Sequence, residues 1–214
     1  GVVALTASRL GAEAQGIDLT PELISRAIEN AKIMGLKAKF VEGDAEFLPY
    51  KENEFDVVLS QYGHMFAPRP AVVVKELARV LKPGGILAFS TWPKELFMGK
   101  FFKLIESFSH PLPLEVASPV LWGDMAIIED RLKDHFDHIE FARDTMFAPT
   151  MSPAHMLKLF EKNAGPLANL VKALADDPTK LSNLRIAALV LIEKFFSNNF
   201  LRQDFLMTRC VKKT

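Results

Sequence analysis

Polar side chains follow three stretches of this chain that have the pattern of β-strands. Asp18 ends the first stretch, the segment Gly43–Ala45 follows the second, and the segment Ser60–His64 leaves the third. A carboxylate can accept a pair of hydrogen bonds from a ligand, and a histidine can take up a proton near neutral pH. Ligands of open α/β sheets bind at the carboxyl ends of the strands. We therefore interpret these three segments as candidate parts of one binding site.

The elements that must position these residues alternate between helix and strand over the first 91 residues. The segment Thr20–Glu22 has the N-cap, proline and acidic residue that begin a helix, and Gly35 can end it. The apolar run Asp56–Ser60 predicts a strand buried on both faces. Short links between helices and strands indicate an α/β fold with a doubly wound, mostly parallel, Rossmann-like sheet.

The second part of the chain is richer in phenylalanine and in long helical patterns. Two further strands are predicted, over Ile139–Phe147 and Phe200–Val211, with a helical insertion between them. We interpret the insertion as a lid between the last two strands. The expected organisation is a binding core over residues 1–92, with residues 93–214 completing the same structural domain.

Composition narrows the class of protein. Lysine plus arginine and aspartate plus glutamate number 26 each, which gives a formal net charge of zero and no basic surface for nucleic acid. The single cysteine, Cys210, favours a reducing compartment, and the apolar runs are too short to span a membrane. The five histidines lack metal-ligand spacing. We expect a cytoplasmic protein with no metal site, and a homodimer is compatible with the sequence.

Five features resemble, in order and spacing, the class I S-adenosylmethionine-dependent methyltransferases. The closest similarity is to the small-molecule branch typified by ubiquinone and menaquinone biosynthesis enzymes, and it covers roughly residues 1–92. The five features are Gly1 before a helix, Asp18 at a strand end, Gly43–Ala45, Phe55–Val58 and Leu81–Gly85.

The resemblance implies S-adenosylmethionine as cofactor, S-adenosylhomocysteine as product, and a role for each residue. Asp18 would hold the ribose hydroxyls and Leu19 would pack against the adenine. Asp44 would accept from the adenine amino group, while the Ala45 amide donates to a ring nitrogen. The remaining expected cofactor contacts are Gly1, Ser60 and Gln61. For Asp18 and Asp44 the alternative is a purely local role in closing a loop.

Methyl transfer from a sulfonium is an in-line displacement, so alignment and desolvation can carry much of the barrier. The candidates for a catalytic role are Tyr62, which could shape the transfer channel or simply pack, and His64, which could act as a base or be a surface or capping residue. The Asn/Asp-Pro-Pro-Tyr motif of base-modifying enzymes is absent. A phenylalanine-rich second part with Trp92 and Trp122 suits a small apolar or aromatic acceptor, although such residues also build cores.

One departure from the family pattern concerns the first strand. The family's glycine-rich loop follows that strand, and this sequence starts inside the loop, with Gly1 at the position of its last glycine. We expect the natural protein to have further N-terminal residues. Without the central strand, its two neighbours would be left unpaired. Two rival interpretations are a non-catalytic module that keeps the fold for binding, and a nicotinamide-dependent oxidoreductase, which would not explain Gly43–Ala45 or Leu81–Gly85.

Overall fold

The computed structural model describes residues 1–111, 113 and 116–214. It contains these helices: α1 Val2–Arg9, α2 Pro21–Met34, α3 Pro70–Val80, α4 Phe97–Phe108, α5 Met125–Leu132, α6 Pro153–Asn163, α7 Gly165–Ala173 and α8 Pro178–Glu193. Its strands are β1 Gln15–Asp18, β2 Lys39–Glu42, β3 Phe55–Gln61, β4 Leu81–Thr91, β5 Phe136–Pro149, β6 Phe196–Ser197 and β7 Phe200–Lys212. No helix among the described residues is both long and apolar enough to cross a membrane.

The strands form two sheets. β1 and β2 pair in parallel as a two-stranded sheet, and the second sheet has the order β3-β4-β7-β5, with β6 paired to β7. β3 and β4 are also parallel, whereas β6 and β7 are antiparallel. The predicted Rossmann-like α/β fold is confirmed. β1 and β3 lie in different sheets.

The chain clusters into two compact units. Unit 1 contains residues 1–90, 129–140 and 208–214, and unit 2 contains residues 91–128 and 141–207. In unit 1, α2 begins at Pro21 and ends before Gly35, whose φ of 65° gives the left-handed cap that the sequence predicts. α2 buries an apolar stripe at helical spacing, which includes Ile24, Ala27 and Ala31.

The prediction that the apolar run Asp56–Ser60 is buried on both faces was wrong. The run does form a strand, β3, but Val57 and Leu59 are 46% and 47% exposed. Within the described residues β3 pairs on one side, with β4, so its apolar pattern alone overstates its burial there.

The segment Lys82–Gly85, which the sequence predicts to be a turn, interrupts the ladder between β3 and β4. Phe55 pairs with Leu81, but the next pair joins Val57 to Ile86. Gly84 has a φ of 74°, a conformation that favours glycine. Residues Lys82–Gly85 therefore lie outside the ladder. From the pair Val57–Ile86 onward, β3 and β4 stay in register up to the pair Gln61–Ser90.

Unit 2 is built around phenylalanine rings. The rings of Phe97 and Phe101 stack at 5.6 Å between centroids, and Phe160 lies 5.0 Å from Phe101. Phe195 meets Phe97 edge-on at 5.5 Å. These contacts join α4, α6 and the turn after α8, so the phenylalanines named here form part of the core of unit 2. The predicted helical insertion between the last two long strands corresponds to α6, α7 and α8.

Candidate active site

Asp18 and the segment Gly43–Ala45 lie side by side in unit 1. β1 and β2 run in parallel and end at Asp18 and Glu42, which are register partners. The backbone N–H of Gly43 then donates to the Asp18 carbonyl oxygen at 3.0 Å. A Cβ at position 43 would come within 2.6 Å of Ile17 Cδ1, so a larger residue there would displace the end of the Ile17 side chain. The structure thus brings together two of the predicted cofactor-binding segments.

One of the two Asp18 carboxylate oxygens accepts a hydrogen bond from the described part of the protein. That oxygen, Oδ1, accepts from the backbone N–H of Thr20 at 2.9 Å and so fixes the start of α2. The other carboxylate oxygen accepts from none of the residues that the structure describes. Thr20 occupies the predicted N-cap position, but its side chain makes no capping hydrogen bond. The local role and the predicted ligand role of Asp18 are therefore compatible, because each uses a different oxygen.

Asp44 repeats this arrangement at the end of β2. Its Oδ1 accepts from the backbone N–H of Glu46 at 2.8 Å, and its carbonyl oxygen accepts from Phe47 N–H at 3.0 Å. The second carboxylate oxygen accepts no hydrogen bond, and the Ala45 N–H donates none, within the described part of the chain. An open acceptor and an open donor thus lie on consecutive residues, a pairing that suits the edge of a nitrogen heterocycle.

Glu46, which the sequence did not single out, anchors this loop to α3. Its buried carboxylate accepts from Arg69 N–H at 2.6 Å and from Arg69 Nε at 2.7 Å. A second anchor lies further along the loop, where Glu76 accepts from Leu48 N–H at 2.8 Å and Arg79 donates to the Leu48 carbonyl oxygen at 2.9 Å. The loop after Asp44 is therefore fastened at two points to one helix.

We expect Glu46→Ala to destabilise unit 1 by about 2 kcal/mol, because it leaves the Arg69 N–H and the Arg69 guanidinium without their charged acceptor. It should also weaken binding of adenosine-containing ligands about fivefold, since Asp44 and Ala45 would lose their fixed conformation. Urea unfolding and isothermal titration with S-adenosylhomocysteine measure the two effects. Glu161→Ala is the matched control, because Glu161 pairs with Arg185 at 2.7 Å in unit 2. Equal losses of ligand affinity in both variants would contradict the anchoring role.

The segment Ser60–His64 forms a tight loop at the carboxyl end of β3. Tyr62 has a φ of 61°, and its N–H donates to the Ser90 carbonyl oxygen at 3.2 Å. Gln61 is exposed at the end of the strand, where it pairs in register with Ser90 of β4. Burial raises the pKa of the Tyr62 phenol, and a hydrogen bond with Ser90 opposes that shift. The phenol is therefore a neutral group at physiological pH.

His64 is buried, with 4% of its surface exposed. Its Nδ1 lies 2.9 Å from Ser60 Oγ, and its ring centroid lies 4.5 Å from that of Phe89. Burial, reinforced by the positive charge of Arg131, lowers the pKa of His64 to about 3. The imidazole is therefore neutral at physiological pH, and the environment of its ring differs from that of a solvent-exposed loop histidine.

Gly1 and Leu19 occupy the positions that the sequence predicts for them. Gly1 is the N-cap of α1 and is exposed, and a Cβ there would come within 2.6 Å of Ala27 Cβ in α2. Leu19 is 67% exposed directly after Asp18. A groove of about 920 Å³ in the same unit is lined by the other flank of the loop, including Phe47 and Tyr50, and by none of the predicted cofactor residues.

Comparison with known proteins agrees with this geometry. Residues 1–89 match the family model described as "Methyltransferase domain". The chain is 32% identical over 208 residues to a Mycobacterium tuberculosis protein named "Uncharacterized protein Rv1403c", covering 97% of this chain and 76% of that protein. It is 41% identical over 88 residues to the chloroplastic tocopherol O-methyltransferase of Arabidopsis thaliana, covering 40% of this chain and 25% of that enzyme.

A solved structure shares the fold. Phosphoethanolamine N-methyltransferase 2 of Haemonchus contortus, in complex with S-adenosylmethionine, superimposes with a TM-score of 0.58 at 18% identity, covering 100% of this chain and 46% of that one. The matched domain and the shared fold agree on one assignment. The chain belongs to the class I S-adenosylmethionine-dependent methyltransferases.

Proposed function

We propose that this enzyme transfers the methyl group of S-adenosylmethionine to a small apolar or aromatic acceptor. One observation carries the cofactor assignment. The Gly43 N–H donates to the Asp18 carbonyl oxygen, which holds Asp44, the next residue, near Asp18. Each of the two carboxylates keeps one oxygen for a ligand. The distance between two adjacent parallel strands, about 4.8 Å, suits neighbouring parts of a nucleoside.

The chemistry of these donors and acceptors fits the cofactor. The second oxygen of Asp18 would accept from the ribose hydroxyls, and exposed Leu19 would cover one face of the adenine. The second oxygen of Asp44 would accept from the adenine amino group, while the Ala45 N–H would donate to a ring nitrogen. The N-cap position of Gly1 and the strand-end residues Ser60 and Gln61 would contact the amino-acid part.

The bound cofactor supplies a methyl group already activated by a positively charged sulfur. The protein then has to hold the acceptor in line, exclude water and keep competing nucleophiles away. Tyr62 would line the transfer channel, because its backbone is fixed against Ser90 and its phenol stays neutral. This mechanism needs no strong base near the methyl group. The burial of the His64 ring counts against its alternative role, the removal of a proton from the acceptor.

Two observations support an apolar or aromatic acceptor. The matching Arabidopsis enzyme is named for tocopherol, although that match covers 40% of this chain. Unit 2 also presents apolar surface around a pocket of about 350 Å³, where Met151 and Phe200 are exposed beside His155. The formal net charge of zero favours a small molecule over nucleic acid. We further propose that the enzyme is cytoplasmic and that a second copy of the chain can be its partner in a homodimer.

The test combines binding and turnover. S-adenosylhomocysteine should bind the chain in a calorimetric titration, whereas NADH should not. In a second step, S-adenosylmethionine is incubated with apolar phenols and hydroquinones and, as a comparison set, with charged primary amines. Mass spectrometry should detect methylated product from the first set. Binding without turnover of any acceptor would favour the non-catalytic module, and binding of NADH alone would favour an oxidoreductase.

A further inference from the structure

The Ser60 side chain closes the loop that follows β3. Ser60 Oγ lies 2.9 Å from His64 Nδ1 and 3.3 Å from the His64 backbone nitrogen. Both contacts span the three residues in between, Gln61, Tyr62 and Gly63. We call this pair of contacts the Ser60–His64 clasp. The β3–β4 ladder ends at Gln61, and beyond that residue the clasp constrains the loop.

The clasp uses both functions of the serine hydroxyl. The His64 N–H donates to Ser60 Oγ, and the hydroxyl hydrogen can then be donated to His64 Nδ1. This arrangement requires an unprotonated Nδ1, and we therefore assign the neutral ring with its hydrogen on Nε2. Burial against Phe89 and the positive charge of Arg131 favour the neutral ring over the protonated one.

The loop needs such a constraint because Tyr62 has an unfavourable backbone conformation. A φ of 61° is unusual for a residue with a Cβ, and more so for a bulky one. One backbone hydrogen bond, from Tyr62 N–H to the Ser90 carbonyl oxygen at 3.2 Å, holds it from the β4 side. The clasp holds the two ends of the loop, so that Tyr62 cannot relax without breaking a side-chain contact.

We propose that His64 is a positioning residue of the cofactor site, which holds Gln61 and Tyr62 in their binding conformation through Ser60. This role rests on the proposed function, because the proposed function supplies the ligand that the loop contacts. It differs from acid–base catalysis in a simple way. A positioning histidine stays neutral and bound to Ser60, whereas a catalytic base must exchange its proton with the acceptor and with solvent.

The first test compares S-adenosylhomocysteine affinity in four variants by isothermal titration. Ser60→Ala and His64→Leu remove the clasp and should weaken binding about 3- to 10-fold. His64→Asn keeps an acceptor near the position of Nδ1 and should stay within about twofold of the parent protein. Cys210→Ala is the control for general destabilisation, because Cys210 is fully buried in the same unit and lies outside the loop. Its affinity should match that of the parent protein.

The second test is a nitrogen-15 NMR titration of the histidine rings in the parent protein. We expect His64 to show the neutral ring with hydrogen on Nε2, unchanged between pH 5.5 and 8.5. Titration of His64 in that range, or full affinity in both Ser60→Ala and His64→Leu, would overturn the positioning role. If the parent protein itself failed to bind S-adenosylhomocysteine, the proposed function would fall first. Binding by the parent with no effect of the variants removes the positioning role alone.

Discussion

Asp18→Asn is expected to weaken the binding of S-adenosylhomocysteine about 10- to 100-fold, the loss typical of hydrogen bonds to a charged group. The asparagine Oδ1 can still accept from the Thr20 N–H, so the start of α2 should be preserved. The second oxygen becomes an NH₂ group, which cannot accept from the ribose hydroxyls. The substitution thus separates the ligand role of Asp18 from its local role.

Asp177→Asn provides the matched control for this prediction. Asp177 Oδ1 accepts from Lys180 N–H at 2.9 Å as the N-cap of α8, in unit 2. The control should bind S-adenosylhomocysteine like the parent protein, and both variants should show similar circular dichroism. Unchanged affinity in Asp18→Asn would assign Asp18 to the loop alone, and the ribose contact would have to come from elsewhere.

Gly123→Ala should destabilise unit 2 by about 3 kcal/mol or more. A Cβ at this position would overlap the carbonyl oxygen of Trp92, and it would also come within 2.8 Å of Lys94 N. Both are backbone atoms, so relief requires movement of the chain rather than rotation of a side chain. Trp122, the neighbouring residue, is buried, which makes tryptophan fluorescence during urea unfolding a direct probe of this part of the unit.

Gly165→Ala is the control for the loss of glycine itself. Gly165 begins α7 in the same unit, and a Cβ there would meet no atom within 4 Å. Alanine should be neutral or slightly stabilising, because it reduces the freedom of the unfolded chain. If Gly123→Ala unfolded at the same urea concentration as Gly165→Ala, the close approach of Gly123 to Trp92 would not limit the free energy of unfolding.

Local signals were sufficient to predict most of the fold and the proximity of two candidate site segments. Pro21 and Gly35 mark the ends of α2, and both act through backbone geometry that a sequence displays directly. Asp18 and Asp44 could be placed together because parallel strands end at the same edge of a sheet. The roles of these residues toward the cofactor remain predictions until the ligand is measured.

What the sequence could not provide depends on contacts between distant residues. Glu46 meets Arg69 across 23 positions, and nothing in the local pattern of either residue indicates the pairing. The burial of His64 depends on Phe89 and Arg131, which come from a later strand and a later helix. The exposure of β3 reflects its pairing on one side among the described residues, and strand order is a property of the whole topology.

The segment Lys82–Gly85 also makes one contact between β3 and β4 dependent on ionic strength. An exposed ion pair between Asp56 and Lys82, at 2.7 Å, joins the two strands where their ladder is interrupted. Because both side chains are exposed, added salt screens their attraction. The backbone ladder from Val57 and Ile86 onward should therefore hold the two strands together in concentrated salt without help from this pair.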